Sequence, residues 1–282
     1  MRIDRVQMAV PDRARAAEGW IALLGARHEG DDRVKGLGAL RSRYRLGCSW
    51  LELLEPDGSG VVSEAVARRG AHLFAAGIGV PDVGALAARL AEHGVSSLAE
   101  GDQLHLDSAA TGDHGLRGVV SSDAEVERVG RVEHLYEVTN LVHDVDAAVA
   151  RTAALLGLDS SVFVPIDSPH YGYRGTLTLF DPDRLDRFEV IQPHVPSNTM
   201  GRFFGRHGEC LYMAFAESGD LDTIVDLARE RGLPFTAVPA QGDPPTTVFL
   251  HPQALGGMML GLSWPGSAWT WSGHPERARS RT

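Results

Sequence analysis

One pattern recurs four times along this 282-residue chain, and it restricts the fold more than any single residue does. The pattern is a short apolar strand, an acidic turn, an amphipathic helix ending at or near glycine, and a later strand that runs into a polar loop. The openings are residues 5–12, 75–82, 137–144, and 212–215 running on to Asp220. The closing strands are 50–56, 117–120, 188–193 and 258–262. Opening and closing positions stand 44 to 52 residues apart (Arg5 to Glu52, Ala75 to Val119, Glu137 to Glu189, Tyr212 to Gly261). A sustained period of this size marks a repeated supersecondary unit.

The helices between these strands are expected at 12–24, 82–93, 144–156 and 220–231. In the second, Val83, Leu86, Ala87 and Leu90 share one face at spacings of three and four. Asp12, Asp82, Asp144 and Asp220 stand at the starts, where a carboxylate caps free N–H groups and meets the positive end of the helix dipole. Gly25, Gly94, Gly157 and Gly232 stand at or near the ends, where the left-handed cap conformation suits glycine. Further strands fit at 40–46, 161–166, 174–180, 235–239 and 246–250. Each module therefore reads β-α-β-β-β, and the fold class is α+β. The polar stretch 123–131 is the expected linker. It separates a domain over 1–122 from one over 132–265, each of two modules. The tail 266–282, rich in Ser, Gly, Arg and Pro, is expected to be disordered, with Trp264, Trp269 and Trp271 able to pin its start.

Bulk composition narrows the function. The formal net charge of −10 and a pI near 5.6 disfavour a phosphate backbone as partner, so no nucleic acid is expected. No run of about twenty apolar residues is present, so no membrane span is expected. The N-terminal residues enter a strand directly, without the pattern of a signal peptide. Cys48 and Cys210 lack metal-like spacing and suit a reducing cytoplasm. Lys35 is the only lysine, so a Schiff base could form nowhere else. There is no Gly-rich phosphate loop after a strand and no Gly-x-Ser-x-Gly elbow.

The fourfold β-α-β-β-β array resembles the vicinal oxygen chelate superfamily, which holds glyoxalase I, bleomycin-resistance proteins, methylmalonyl-CoA epimerase, extradiol dioxygenases and 4-hydroxyphenylpyruvate dioxygenase. Two closing strands carry the resemblance: Leu51-Glu52-Leu53-Leu54-Glu55-Pro56 and Phe188-Glu189-Val190-Ile191-Gln192-Pro193. Phe249-Leu250-His251-Pro252 before Gly256-Gly257-Met258-Met259-Leu260 resembles the His-Pro turn of the epimerases. The segment from Gln192-Pro193 to Arg206-His207-Gly208-Glu209 resembles the link between paired modules. The resemblance covers roughly residues 3–265 and implies two tandem glyoxalase-like domains. It also implies a divalent metal at the base of a cup, held by one residue from each opening and each closing strand, usually His and Glu. Carried over position by position, the first half offers Arg5, Ala75, Glu52 and Val119. Ala and Val cannot ligate, and a guanidinium has no lone pair to give. The second half offers Glu137, Tyr212 (or Met213), Glu189 and Gly261. No metal is assigned; if a divalent ion is present, its ligands are Glu137, Glu189 and Tyr212, a hard-donor set without imidazole.

The expected active cup is the second. Glu137 and Glu189 are either paired with arginine or solvated, or they form a carboxylate pair with separated proton affinities, fit for proton transfer beside a carbonyl. Arg5 and Glu52 read as a structural ion pair, with an anion clamp as the alternative. The hairpin segment 167–175 gathers His170, Tyr171, Tyr173 and Arg174, either as an ordinary polar turn or as part of the site. The catalytic candidates are Glu137, Glu189, Tyr212 and His170. Those for substrate contact are Thr139, Tyr171, Tyr173, Arg174 and Met259. His134 and His143 alternate with Glu137 and should face away, His251 should fasten its turn, and His72, His105 and His114 read as surface or rim residues. The function expected is isomerase, epimerase or lyase chemistry on an oxygenated carbonyl compound. The alternatives are a metal-dependent, dioxygenase-like activity and a small-molecule sequestering protein. The expected partner is a small molecule, and the chain is expected to be a monomer or homodimer.

Overall fold

A computed structural model describes residues 1–109, 111–112, 114–239 and 243–281. The first module holds β1 (Arg2–Ala9), α1 (Arg13–Leu24), β2 (Arg27–Val34), β3 (Ala39–Leu46) and β4 (Ser49–Pro56), with α2 (Val61–Arg69) after it. The second holds β5 (His72–Val80), α3 (Val83–Glu92), β6 (Leu98–Glu100), β7 (Gln103–Leu106) and β8 (Gly118–Ser122). The third holds β9 (Leu135–Leu141), α4 (Val145–Leu156), β10 (Val164–Ser168), β11 (Tyr173–Leu179) and β12 (Arg187–Pro193), with α5 (Thr199–His207) after it. The fourth holds β13 (Cys210–Glu217), α6 (Leu221–Glu230), β14 (Phe235–Val238), β15 (Thr247–Leu250) and β16 (Met259–Ser263).

The capping signals act largely as the sequence suggests. Asp12, Asp82 and Asp144 accept from the backbone N–H of Arg15, Ala85 and Ala147 at 2.9, 2.9 and 3.1 Å. Asp220 does not cap with its side chain; Ser218 Oγ accepts from its backbone N–H at 3.1 Å instead. Gly25 and Gly157 close their helices at φ 70°. Strand β2 carries no apolar alternation, because it is the outermost strand of its sheet and mostly exposed, so periodicity could not reveal it.

In every module the opening strand runs parallel to the closing strand: β1 with β4, β5 with β8, β9 with β12, and β13 with β16. The sheets have the orders β2-β3-β4-β1-β5-β8-β7-β6 and β10-β11-β12-β9-β13-β16-β15-β14. These two eight-stranded sheets with interspersed helices make an α+β fold of two tandem glyoxalase-like domains. Compactness divides the chain differently. One unit comprises Met1–Ile3, Ala75–Asp123 and Glu137–Tyr212; the other comprises Asp4–Phe74, Ala124–Tyr136 and Met213–Thr282. In the first unit α3 packs on α4, and α4 packs on β11 and β12. In the second, α1 packs on α6, and Trp20, fully buried, donates through Nε1 to the Leu255 carbonyl at 3.0 Å. No helix among the described residues is long and apolar enough to cross a membrane.

The tail is not the disordered segment its composition suggests. Short 3-10 turns at Ser267–Trp271 and Pro275–Arg277 bury Ala268 and Ser272. The Arg281 guanidinium lies 4.5 Å from the centre of the Trp264 ring, donates to the Pro245 carbonyl at 2.6 Å and pairs with Asp222. Arg277 lies over Trp269 at 5.2 Å. Half-buried Trp264 and Trp269 act through cation–π contacts, which polar composition does not show, while Trp271 is exposed.

Candidate active site

The site is built on the first unit. Alternation on β9 puts Glu137, Thr139 and Leu141 on one face, and on β12 it puts Arg187, Glu189 and Ile191 on one face. The parallel register pairs them across the strands: Arg187 opposite Glu137, Glu189 opposite Thr139, Ile191 opposite Leu141. On the next strand, Leu177 stands opposite Glu189 and Tyr173 projects from the same face near the turn. Helix α4 packs on β11 and β12, and the Arg174 guanidinium reaches its Asp146 at 3.6 Å, which places Arg174 on the opposite face from Tyr173.

Each rung of this ladder has its own chemistry. Arg187, fully buried, donates from Nε to Glu137 Oε2 at 2.6 Å and from Nη1 to the Leu185 carbonyl at 3.3 Å. Burial pushes the Glu137 carboxyl up from its ordinary value, and the adjacent guanidinium pulls it back. A guanidinium keeps its charge in proteins, so the form of Glu137 that balances it is the carboxylate. One rung further, Thr139 Oγ1 donates to Glu189 Oε2 at 2.6 Å, and the Tyr173 hydroxyl lies 3.4 Å from Oε1. Burial first, then the charge of Glu137, pushes the Glu189 carboxyl up to about 8. Glu189 keeps part of its surface open to solvent, so this is a recessed carboxyl rather than a sealed one. Burial and the neighbouring carboxylates hold the Tyr173 phenol protonated far above neutral pH.

The third rung is apolar. Leu141 and Ile191 meet Phe204, with Met200, Phe203, Tyr173 and Tyr212 packed around them. Phe203 and Tyr212 contact edge to face at 4.9 Å between ring centres. Helix α5 supplies this wall. Asn198 caps it, accepting from the Gly201 N–H at 2.7 Å, and Gly201 lies against the preceding turn. A Cβ at Gly201 would sit 2.0 Å from the Val195 carbonyl oxygen. Gly201→Ala should therefore destabilise the protein by about 1–3 kcal/mol, although the same change inside a free helix is favourable. Thermal unfolding checks this, and a variant as stable as the parent would show that α5 is not seated on that turn.

Thus the structure brings together Glu137, Glu189, Thr139, Tyr173 and Tyr212 on or beside one face. His170 and Tyr171 meet each other instead, rings 4.6 Å apart at the exposed hairpin turn. Arg174 faces away and bonds Gln192 at 3.0 Å. Met259 lies on β16, in the other unit. His251 bonds Thr236 on β14 at 2.9 Å. His72 and His105, expected at the surface, are buried; His72 is fixed to the Gly70 carbonyl at 2.8 Å. In the other unit, Glu52 is fully buried and held by Arg5 at 2.8 Å, Gln7 at 2.7 Å and Arg41 at 3.6 Å. Arg5 also grips Asp4 at 2.8 Å, so the pair belongs to a structural network. Sequence reasoning missed Arg187 and the α5 wall. Arg187 stands two residues before Glu189, and starting the closing strand at Phe188 cut it off. Met200, Phe203, Phe204 and His207 already showed helical spacing after the cap residue Asn198.

The fold implies a divalent metal, and the residues do not fit one. Glu137 is committed to a guanidinium on the face where an ion would sit, and the phenol of Tyr212 is pushed further from ionisation by burial. Among the described residues no group of three or more His, Cys, Asp or Glu side chains could hold an ion. The set Glu137, Glu189 and Tyr212 is therefore not a ligand set.

Fold and strand scheme together define a protein of the vicinal oxygen chelate fold, with a carboxyl–hydroxyl centre on the shared face of β9 and β12. Among solved structures, a mutant of 4-hydroxymandelate synthase from Streptomyces coelicolor superposes with a TM-score of 0.72 at 14% identity, over 98% of this chain and 98% of that one. A xylose isomerase-like TIM barrel/4-hydroxyphenylpyruvate dioxygenase fusion protein matches with a TM-score of 0.65 at 12% identity, over 98% of this chain and 51% of that one. At these identities the likeness is one of fold. No protein-family model matches the sequence, and no curated protein matches it.

Proposed function

We propose that the chain is a small-molecule enzyme that moves a proton on an oxygenated carbonyl compound, as an isomerase, epimerase or lyase, with Glu189 carrying the proton. The supporting observation is the placement of Glu189: a recessed carboxyl at the edge of an apolar wall, gripped by Thr139 and within reach of Tyr173. With its proton affinity raised to about 8, it is mostly protonated at neutral pH and keeps a usable ionised fraction. The ionised form takes a proton from carbon, and the C–H electron pair moves toward the carbonyl oxygen. The Tyr173 hydroxyl suits a donor to that oxygen. Return of the proton by Glu189 to the side it left regenerates the substrate with hydrogen exchange, whereas delivery to the other face of the planar enolised carbon epimerises it. Glu137 leaves the acid–base role the sequence suggested, because its carboxylate is bound by Arg187; its effect on Glu189 is electrostatic. The wall of Phe203, Tyr212 and Tyr173 also favours a second reading, a sequestering protein that binds such compounds without chemistry. The free thiols Cys48 and Cys210 suit the cytoplasmic reading, with the chain acting as a monomer or homodimer.

The trial is incubation of hydroxy-ketones and oxo-compounds in heavy water, followed by mass spectrometry. The parent should incorporate deuterium, and Glu189→Gln should lose it by roughly 10²–10⁴-fold. Binding without incorporation would favour sequestration. Equal incorporation by parent and variant would remove Glu189 from the mechanism.

A further inference from the structure

Arg187 has no counterpart in the ligand scheme that the fold brings with it, and it stands opposite Glu137 on the face where that scheme places an ion. Its guanidinium is fully buried, and the segment leading into β12 holds it through the Leu185 carbonyl at 3.3 Å. Across the strand it meets Glu137 Oε2 at 2.6 Å, in register, so backbone pairing and side-chain pairing fix the same geometry. Two residues on, Glu189 projects from the same face and feels the charges of both Arg187 and Glu137. We propose that Arg187 is the resident cation of this centre, a guanidinium carried on β12 that takes the charge-balancing place of a divalent ion and keeps such an ion out.

Three features carry this. First, the carboxylate on the opening strand already has a cation at hydrogen-bond distance, and a buried carboxylate bound to a guanidinium gives it up only at the expense of leaving that charge unpaired. Second, an added divalent ion would face Arg187 as a like charge at close range in a poorly screened site. Third, the Glu189 carboxyl already accepts from Thr139 at 2.6 Å, and the remaining side-chain oxygens beside it are the neutral hydroxyls of Thr139 and Tyr173. Hard cations are held by several carboxylate and carbonyl oxygens, and transition ions prefer imidazole or thiolate. The substitution is also economical in sequence, since one arginine two residues before Glu189 both neutralises Glu137 and repels the ion.

This inference does not depend on proton transfer: deuterium incorporation decides that reading, and ion content decides this one. The experiment is equilibrium dialysis of the full chain against Mn²⁺ and Zn²⁺ separately, with bound ion counted by elemental mass spectrometry. Parent, Arg187→Met and the double variant Arg187→Met with Glu137→Leu are compared. The parent and the double variant should hold no stoichiometric ion. Arg187→Met frees a carboxylate and removes the repulsion, so it should bind Mn²⁺ at least roughly tenfold more tightly than the parent. One equivalent in the parent, abolished by Glu137→Gln or Glu189→Gln, would overturn the proposal. So would a folded Arg187→Met variant that takes up no more ion than the parent. If Arg187→Met does not fold, the parent's ion content decides alone.

Discussion

Arg187→Met is expected to destabilise the protein by about 3–5 kcal/mol, the range for removing one partner of a buried ion pair. The magnitude follows from what is left behind. Glu137 is 2% exposed, and its hydrogen-bonded cation is Arg187. Without that cation the carboxylate must be protonated, with its burial now unopposed, or remain as an uncompensated charge. Methionine keeps most of the volume, so the loss does not come from a cavity. The control is the double variant Arg187→Met with Glu137→Leu, which removes both charges and should recover most of the stability, since an apolar pair of similar size is often as stable as a buried ion pair. Urea unfolding midpoints of the three proteins measure both effects. A single variant within about 1 kcal/mol of the parent, the range of exposed ion pairs, would mean the pair is not ionic in solution.

Glu189→Gln is expected to change how stability depends on pH, in a direction the structure fixes. The folded state raises this carboxyl from its ordinary value of 4.5 to about 8. Below the lower value both folded and unfolded chains hold the proton. Between the two values the folded chain keeps a proton that the unfolded chain has released, so stability falls by about 1.4 kcal/mol per pH unit in that window. Above the upper value both are ionised, and the loss is complete. Glutamine does not titrate, so the variant lacks this slope. Relative to the parent it should gain steadily from pH 5 to pH 8 and level off by pH 9. Partial access of solvent to Glu189 reduces the total to a few kcal/mol at most. Melting temperatures at matched ionic strength read this directly. A parallel pair of curves would show that Glu189 titrates at its ordinary value.

Much of the architecture is legible in the sequence because the signals are local and repeated. Aspartate before a helix, glycine after it and an apolar strand on either side locate all four modules, and three of the four aspartates cap as they should. Strand β2 is not legible, because at a sheet edge neither face must be apolar. Helix α5 was hidden by brevity and by its place in a segment read as a link. The site was half legible. Alternation puts Glu137 and Glu189 on one face from sequence alone. The partner that changes the meaning of Glu137 is set by register, which depends on how two strands fifty residues apart align. Arg187 is one of many arginines in a chain with a single lysine, and nothing local marks it. His170 and Arg174 mislead for a related reason: a polar hairpin gathers reactive side chains whether or not they face the sheet's working side.

The division into compact units has a consequence for the order of synthesis. The unit that carries Glu137, Arg187 and Glu189 ends at Tyr212, so all of its segments have been made while residues 213–282 are still to come. The other unit joins 4–74 to 213–282, and its first segment must wait for its partner until residues 213–282 have been made. Closing that loop orders residues more than two hundred positions apart, the kind of contact that slows folding and lengthens the time apolar strands stay unpaired. The carboxyl centre therefore lies in the half of the molecule that can be complete first, and exposure to misfolding falls on the half without it.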